Sequence, residues 1–467
     1  MYTSPRSRAH ISIGQLPNEI LGEVFKHHVA LDHSPWCLTF VCRGWQRVAL
    51  GTPALWTHIV VANPAYRSDQ GWFSFGRKKW SAGRASICFE VQDFREAVNR
   101  AGILPLHVDV KIDRNYVTAY IIDALLEEAF SSPIAHRTFS LVIDISDIGG
   151  GNLGWGLGIR VYSRLESLRV VSIPEEWMPD LLELAYTSSP TSFVSLEIMS
   201  QYSLTEEQIE EFSCRFPSLE HLGGRFYLPS NRQNQVATFP FVKELTIACN
   251  TTAISQLCLP HLQSLEISLS PSHNSGIEAE ASQLEFPLLL KLQFTARATC
   301  WLENIVAPRL QSLSIMGIYH FTPKDWQFRP LSRTFPTVKN ISFESGAWGY
   351  KGDGDTRDDL LIAVFQAVPN ATSVVMSTGS SSSSDPKLRL QLLDRLGSTD
   401  ADDILCPQLQ DLELTSLTRR SSKLADYEIY LLERIVDARK QMGRSLKRFV
   451  IAWKMPDLEQ LLTRRFV

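Results

Sequence analysis

Gly149-Gly-Gly151-Asn-Leu-Gly154 has the G-x-G-x-x-G form and follows the strand-like run Phe139–Ile145. Such a loop cradles a pyrophosphate when a helix begins there and aims its N-terminal amides at the phosphates. Here Trp155-Gly-Leu-Gly158 follows, which is poor helix material, and no acidic residue is well placed after a second strand. A nucleotide-binding enzyme built on Gly149–Gly158 is the remote reading, and a loop between structural repeats is the plainer one. Asp353, Asp355, Asp358 and Asp359 offer oxygen ligands for Ca²⁺, but the EF-hand order and its closing Glu are absent. His27-His28 lacks the H-E-x-x-H pattern of a zinc site. Ser380–Ser384 reads as a linker loop open to phosphorylation, and no G-x-S-x-G elbow occurs. The expectation is therefore no catalytic, cofactor-binding or metal residue, no cofactor, and a protein that is not an enzyme.

The elements that would position any chemistry belong to a chain of 467 residues. Lys plus Arg is 46 and Asp plus Glu is 50, a net charge of −4, which argues against a dedicated nucleic-acid partner. A hydrophobic fraction of 44%, with 11 Trp and 23 Phe, suffices for a sizeable core. No run of 18 apolar residues occurs, and Met1–His10 lacks the apolar stretch of a signal peptide, so neither a membrane span nor secretion is expected. The eight Cys are scattered without a C-x-x-C pair, which suits a reducing compartment, cytoplasmic or nuclear.

In the first sixty residues, Leu16, Ile20, Leu21, Val24 and Phe25 share one helical face, with Pro17 at the start and Glu19 suited to the positive end of the dipole. A second start follows at Ser34-Pro35, and Leu38, Val41, Cys42, Trp45 and Val48 recur at helical spacing. Gly44 is a candidate break within that stretch. A unit this small usually needs a neighbour or partner for stability.

Leu16-Pro17-x-Glu19-Ile20-Leu21, Val41-Cys42-Arg43-x-Trp45 and Pro53-x-Leu55-Trp56 together resemble an F-box. The resemblance implies a three-helix module that docks on a Skp1-like adaptor and, through it, on a cullin ubiquitin ligase. Carried over position by position, it implies an adaptor-binding set of Leu16, Pro17, Ile20, Leu21, Val41, Cys42, Trp45 and Trp56. Val24, Phe25 and Val48 fit either that face or the module's core.

The remainder repeats. Phe239-Pro-Phe-Val-Lys-Glu-Leu-Thr-Ile247 and Leu259-Pro-His-Leu-Gln-Ser-Leu-Glu-Ile267 share one pattern, as do copies opening at Phe286, Ala307, Phe335 and Cys406. Weaker copies lie at Tyr162–Val170, Pro190–Ile198, Phe216–Leu222, Val368–Met376 and Ser445–Ile451, and Arg100–Val108 and Arg137–Ile143 open the series. Pro217, Pro240, Pro260, Pro287, Pro308, Pro336, Pro369 and Pro407 are spaced by 20 to 38 residues. Each copy alternates apolar and polar residues as a half-buried strand does, with Pro ahead of the ladder. Helices are expected at Trp177–Thr187, Arg357–Val368, Lys387–Leu396 and Leu424–Met442, and from the capping box at Thr205-Glu-Glu-Gln208 to about Phe216. Strand–turn–helix units of this length stack into an irregular leucine-rich-repeat-like α/β solenoid, a horseshoe, although the signature Asn survives only at Asn250.

The predicted fold class is thus α/β, with residues 1–12 a flexible N-terminus, 13–60 the F-box, 61–102 a linker region and 103–467 the solenoid. Within the linker region, Trp72-Phe-Ser-Phe-Gly-Arg-Lys-Lys-Trp80 mixes aromatic and basic residues, suited to an acidic partner or, more plainly, to a surface hairpin or extra strand. The combination resembles fungal F-box proteins with degenerate leucine-rich repeats. That resemblance implies a non-catalytic substrate receptor of a ubiquitin ligase, or alternatively a scaffold acting with Skp1 outside a ligase. The polar residues between the strand leucines on the concave face, Ser264, Glu266, Ser268, Ser312, Ser314, Ser342, Glu344 and Glu413, are the candidate substrate-binding residues. Trp326, Trp348 and Tyr350 are loop aromatics that fit either a substrate contact or a cover over the core.

Overall fold

The computed structural model describes residues 16–30, 35–62, 86–88, 91–113, 124, 126–146, 161–172, 178–226, 237–248, 254, 256–268, 283–295, 302–316, 334–345, 362–378, 395–398, 404–415, 422–454 and 461–466. The glycine loop 149–158, the acidic loop 353–359, the serine run, Asn250, the 72–80 segment, Trp326, Trp348 and Tyr350 lie outside them.

Helices α1 (Asn18–Ala30), α2 (Pro35–Thr39) and α3 (Arg43–Leu50) form the N-terminal helical region. The Pro17 carbonyl accepts the Leu21 N–H at 2.9 Å, and Glu19 and His27-His28 lie at the dipole ends that favour them. The break between α2 and α3 falls at residues 40–42, and Gly44 sits inside α3. The reason is the cap: Cys42 adopts an extended backbone and its Sγ accepts the Trp45 N–H at 3.5 Å. A 3₁₀ turn at Pro53–Trp56 ends the region.

The first compact unit is Met1–Tyr202. Its sheet is ordered β2 (Ser86–Cys88), β1 (His58–Ala62), β3 (Leu106–Asp113), β4 (Thr138–Ser146), β5 (Ser167–Ser172) and β6 (Ser195–Leu204), all neighbours parallel. The sheet therefore begins at β1, earlier than residue 103. Residues 61–102 contribute β2 and helix α4 (Val91–Ala101) rather than a plain linker. His58-Ile-Val-Val-Ala is a β-branched run suited to a buried strand, and Phe94, Ala97, Val98 and Ala101 form the buried stripe of α4. Helices α5 (Ser132–Ala135) and α6 (Met178–Tyr186) connect later strands.

The second unit is Ser203–Val467. Helix α7 (Glu206–Arg215) starts on the expected capping box: Thr205 Oγ1 accepts the Gln208 N–H, and Gln208 Oε1 accepts the Thr205 N–H at 2.9 Å. The main strands are β7 (His221–Phe226), β9 (Glu244–Ala248), β11 (Ser264–Ser268), β13 (Lys291–Thr295), β15 (Ser312–Met316), β16 (Asn340–Ser345), β17 (Ser373–Thr378), β18 (Asp411–Thr415) and β19 (Arg448–Lys454), side by side and parallel. A final strand, β20 (Leu461–Phe466), pairs antiparallel with β19. Short parallel ladders join β8 (Ala237–Thr238) to β10 (Leu257–Cys258), and β12 (Leu284–Glu285) to β14 (Ile305–Val306). They lie just before the repeat prolines, so Pro opens the turn that follows and costs no ladder bond. Residues 362–367 are helical, and a long helix, α8 (Ser422–Gln441), precedes β19. Among the described residues no helix is long and apolar enough to cross a membrane.

One backbone motif recurs at the entries of the main strands from β9 to β19. The Lys243 N–H donates to the Glu220 carbonyl at 2.8 Å, and the Gln263 N–H to the Lys243 carbonyl at 2.8 Å. The chain of donors continues through Leu290, Gln311, Lys339, Thr372, Gln410 and Lys447 at 2.8 to 2.9 Å. Behind it, Leu245, Leu265, Leu292, Leu313, Ile341, Val374 and Leu412 stack in register in the core.

Where repeats lengthen, a buried cation takes up the loose carbonyls. Arg439 of α8 is fully buried and donates to the carbonyls of Leu396, Leu405 and Cys406 at 2.9 to 3.3 Å. Cys406, at φ 49, is held there in the left-handed region. Burial lowers the guanidinium to about 10, which leaves it charged at neutral pH. Arg439→Met keeps the stem but removes the donor from the Leu396 and Leu405 carbonyls, while the Cys406 carbonyl keeps the Leu409 N–H at 2.9 Å, so it should cost about 2 kcal/mol or more, at roughly 1–3 kcal/mol per unmet group. A urea denaturation curve checks this.

Candidate functional site

The helical region divides its apolar side chains between inside and outside. Leu21, Phe25, Leu38, Val48, Ala49, Leu55 and Trp56 are buried. The Phe25 and Trp45 rings meet at 4.9 Å, and Trp45 is half-buried. The Trp56 indole N–H donates to the Ala49 carbonyl at 2.9 Å and its ring meets Trp36 edge-on at 4.7 Å. Arg100 of α4 places its guanidinium 4.6 Å from both rings while pairing with Glu96 at 2.7 Å. This clamp joins the helical region to the helix that follows it.

Several apolar side chains remain outside. Pro17 ahead of α1, then Ile20 (50% exposed) and Val24, fall on successive turns. Between α2 and α3, Phe40 (75%) and Val41 (57%) are exposed, as is Cys42. Large apolar side chains on so short a stretch are what a protein-docking surface presents. Of the expected adaptor-binding residues, Pro17, Ile20, Val41 and Cys42 are exposed and Leu16 is half-buried. The structure places Leu21 and Trp56 in the core instead, because α1 turns Leu21 inward beside Phe25 and the clamp encloses Trp56.

The candidate substrate residues occupy the polar strand positions of the second unit, where Ser264, Glu266, Ser268, Ser312, Ser342 and Glu413 are partly exposed but Ser314 is buried between neighbouring strands, against the expectation. Ser264 and Glu266 on β11 stand opposite Lys291 and Gln293 of β13. Ser268 stands opposite Ala248. Ser312 stands beside Asn340, and the Ser342 hydroxyl donates to that of Ser314 at 2.8 Å. Glu413 pairs with Arg448 at 3.0 Å. Glu344 occupies the matching backbone position of β16, opposite Met316, and its side chain lies outside the described residues.

One cluster lies beyond these motifs. His58 of β1 faces His107 of β3, and Asp109 follows two residues on. Asp109 Oδ1 is 2.8 Å from His107 Nε2, and Oδ2 is 3.3 Å from His58 Nε2 and 3.2 Å from Lys111 Nζ. Burial raises the Asp109 carboxyl, but the adjoining imidazoles outweigh it and hold the group well below the usual carboxylate range. The signal in the sequence is Leu106-His-Val-Asp-Val-Lys111, in which titratable residues alternate with apolar ones.

Residues 13–62 match the family model of F-box-like domains. The match covers α1, α2, α3, the 3₁₀ turn and β1. F-box domains typically bind Skp1-like adaptors and are generally non-catalytic, so this match indicates a role in adaptor interaction. The chain has no significant match among curated proteins.

Trp56→Ala should destabilise the chain by about 3–5 kcal/mol, as truncating a buried aromatic does. Trp56→Phe, which removes the indole donor while leaving a ring, should cost about half that or less. Chemical denaturation of both variants checks the order.

Proposed function

We propose that this chain is the substrate-recognition subunit of a Skp1–cullin–F-box type ubiquitin ligase, a non-catalytic receptor of the cytoplasm or nucleus. The observation that carries the reading is the exposure of the apolar side chains of Pro17, Ile20, Phe40 and Val41 on a region that matches an F-box-like domain. The adaptor site comprises Leu16, Pro17, Ile20, Leu21, Val41, Cys42, Trp45 and Trp56. Within it, Pro17, Ile20, Val41 and Cys42 make the contact, while Leu21 and Trp56 hold their backbone from beneath. A stable interface of this kind covers about 800 Å² per partner.

The strand repeats form an irregular leucine-rich-repeat-like solenoid of the kind found in fungal F-box proteins, and its outward strand face binds a protein substrate. Ser264, Glu266, Ser268, Ser312, Ser314, Ser342, Glu344 and Glu413 belong to that face. Support comes from the parallel register, which gathers hydroxyl, amide and carboxylate groups from distant repeats onto one surface. The mechanism is proximity: the receptor raises the local concentration of target beside the ligase.

Ile20→Asp with Val41→Asp should weaken binding to a Skp1-type adaptor by about a hundredfold or more, as expected for two anchors. The same pair should leave the urea midpoint nearly unchanged, because both residues are exposed. Calorimetric titration with purified adaptor measures the first, and unchanged affinity would refute the assignment. Cullin co-purifying with native chain, and lost in the double variant, is expected of a ligase subunit. Adaptor without cullin would indicate a scaffold outside a ligase.

A further inference from the structure

The His58, His107 and Asp109 cluster has no part in adaptor docking or in the candidate substrate face. Its three ligand atoms lie within 4.8 Å of one another, and among the described residues it is the group of three His, Cys, Asp or Glu that converges in this way. We propose that it is a divalent transition-metal site, of the type Zn²⁺ takes. Two imidazoles and one carboxylate are a donor set suited to that ion, and they leave a fourth position for water. With metal–ligand lengths of about 2.0–2.2 Å, neighbouring ligands of a tetrahedral ion stand about 3.3 Å apart. The His58 Nε2 to Asp109 Oδ2 distance is 3.3 Å. His107 Nε2 lies 2.8 Å from the other oxygen, Oδ1, so a rotation of the carboxylate brings a single oxygen and both nitrogens around one centre.

Two further features point to a ligand. The Asp109 side chain is only 9% exposed, yet its Oδ1 and the buried His58 Nε2 have no well-aligned hydrogen bond. Close but misaligned polar atoms are what ligands directed at a common centre look like, and buried polar atoms ordinarily have partners. The two imidazoles meet edge-on at 88° with centroids 4.2 Å apart rather than stacking, and their ligand nitrogens lie within 4.8 Å of each other. Lys111 is the competitor, because its ammonium lies 3.2 Å from Oδ2. It stands opposite Asp144 of β4, which offers it a second carboxylate when an ion takes Asp109.

The position gives the site a role. His58 lies within the F-box-like match, two residues after Trp56, whereas His107 and Asp109 lie beyond it. An ion there ties the last strand of the docking region to the next strand of its sheet.

The test uses the full chain, stripped with a chelator and titrated with Co²⁺, whose visible absorption reports low-symmetry nitrogen and oxygen coordination. One equivalent should bind, and Zn²⁺ should displace it. Asp109→Asn and His107→Gln should each weaken binding by at least about tenfold, the loss that removing even an outer partner causes. Lys111→Met should bind at least as tightly as the native chain, and His27→Gln with His28→Gln should bind like it. Circular dichroism confirms that each variant is folded, and if one aspartate or histidine variant unfolds, the other decides. No Co²⁺ band in the native chain would overturn the proposal. So would binding that survives in the folded ligand variant, or binding confined to Lys111→Met.

Discussion

The structure of the second unit depends on the carbonyl at each main-strand entry. That carbonyl accepts the N–H of the equivalent residue one repeat later, from Glu220 through Lys243, Gln263 and onward to Lys447. Backbone groups make this bond, so it asks nothing of the side chain except that it not be proline. Each of these strands starts at the same level, whatever length of chain lies between. This is why spacings of 20 to 38 residues coexist with a parallel register that does not slip from β7 to β18. Lengthening a loop costs little closure entropy, roughly 0.6 kcal/mol per doubling, whereas losing register would turn Leu265 and Ile267 to solvent.

The helical region obeys a different constraint. It has more large apolar side chains than so small a unit can enclose. Phe25, Leu55 and Trp56 use the available interior, and Arg100 extends it by laying a guanidinium against Trp36 and Trp56. Pro17, Ile20, Phe40 and Val41 are left over on the outside. Exposed apolar residues at these positions bury little surface within the chain, which is the physical sense in which they differ from the core.

Much of this was legible in the sequence. The strands followed from apolar–polar alternation, because period two with Leu and Ile on one face has a single stable burial. The capping box at Thr205 and Gln208 located α7, since side chain and backbone satisfy each other locally. The start of the sheet was less legible: β1, β2 and α4 carry no proline-led repeat, and their placement comes from pairing with β3. The antiparallel β20 was missed for the same reason. Motif identity alone did not separate Leu21 from Ile20, because adjacent helical residues point 100° apart and the F-box pattern names both. The His58 partnership with His107 and Asp109 was hidden by distance along the chain.

That cluster shows what a parallel register does for chemistry. In the first unit, inward positions of β3 such as Val108, Val110 and Ile112 are committed to the core. The alternate positions carry polar residues, and pairing with β1 and β4 sets His107, Lys111 and the buried Asp109 beside His58 and Asp144. A single outward substitution therefore acts on neighbours that are far away in sequence. In the second unit the same rule brings Ser314 to Ser342, and Glu413 to Arg448, without any local motif. The repeat supplies fixed heights and alternating directions, and the residue types at the alternate positions decide what each height presents. Substitutions at the buried inner positions should thus report as lost stability, whereas those at exposed outer positions should leave the fold largely intact. That division makes the two faces separable by experiment.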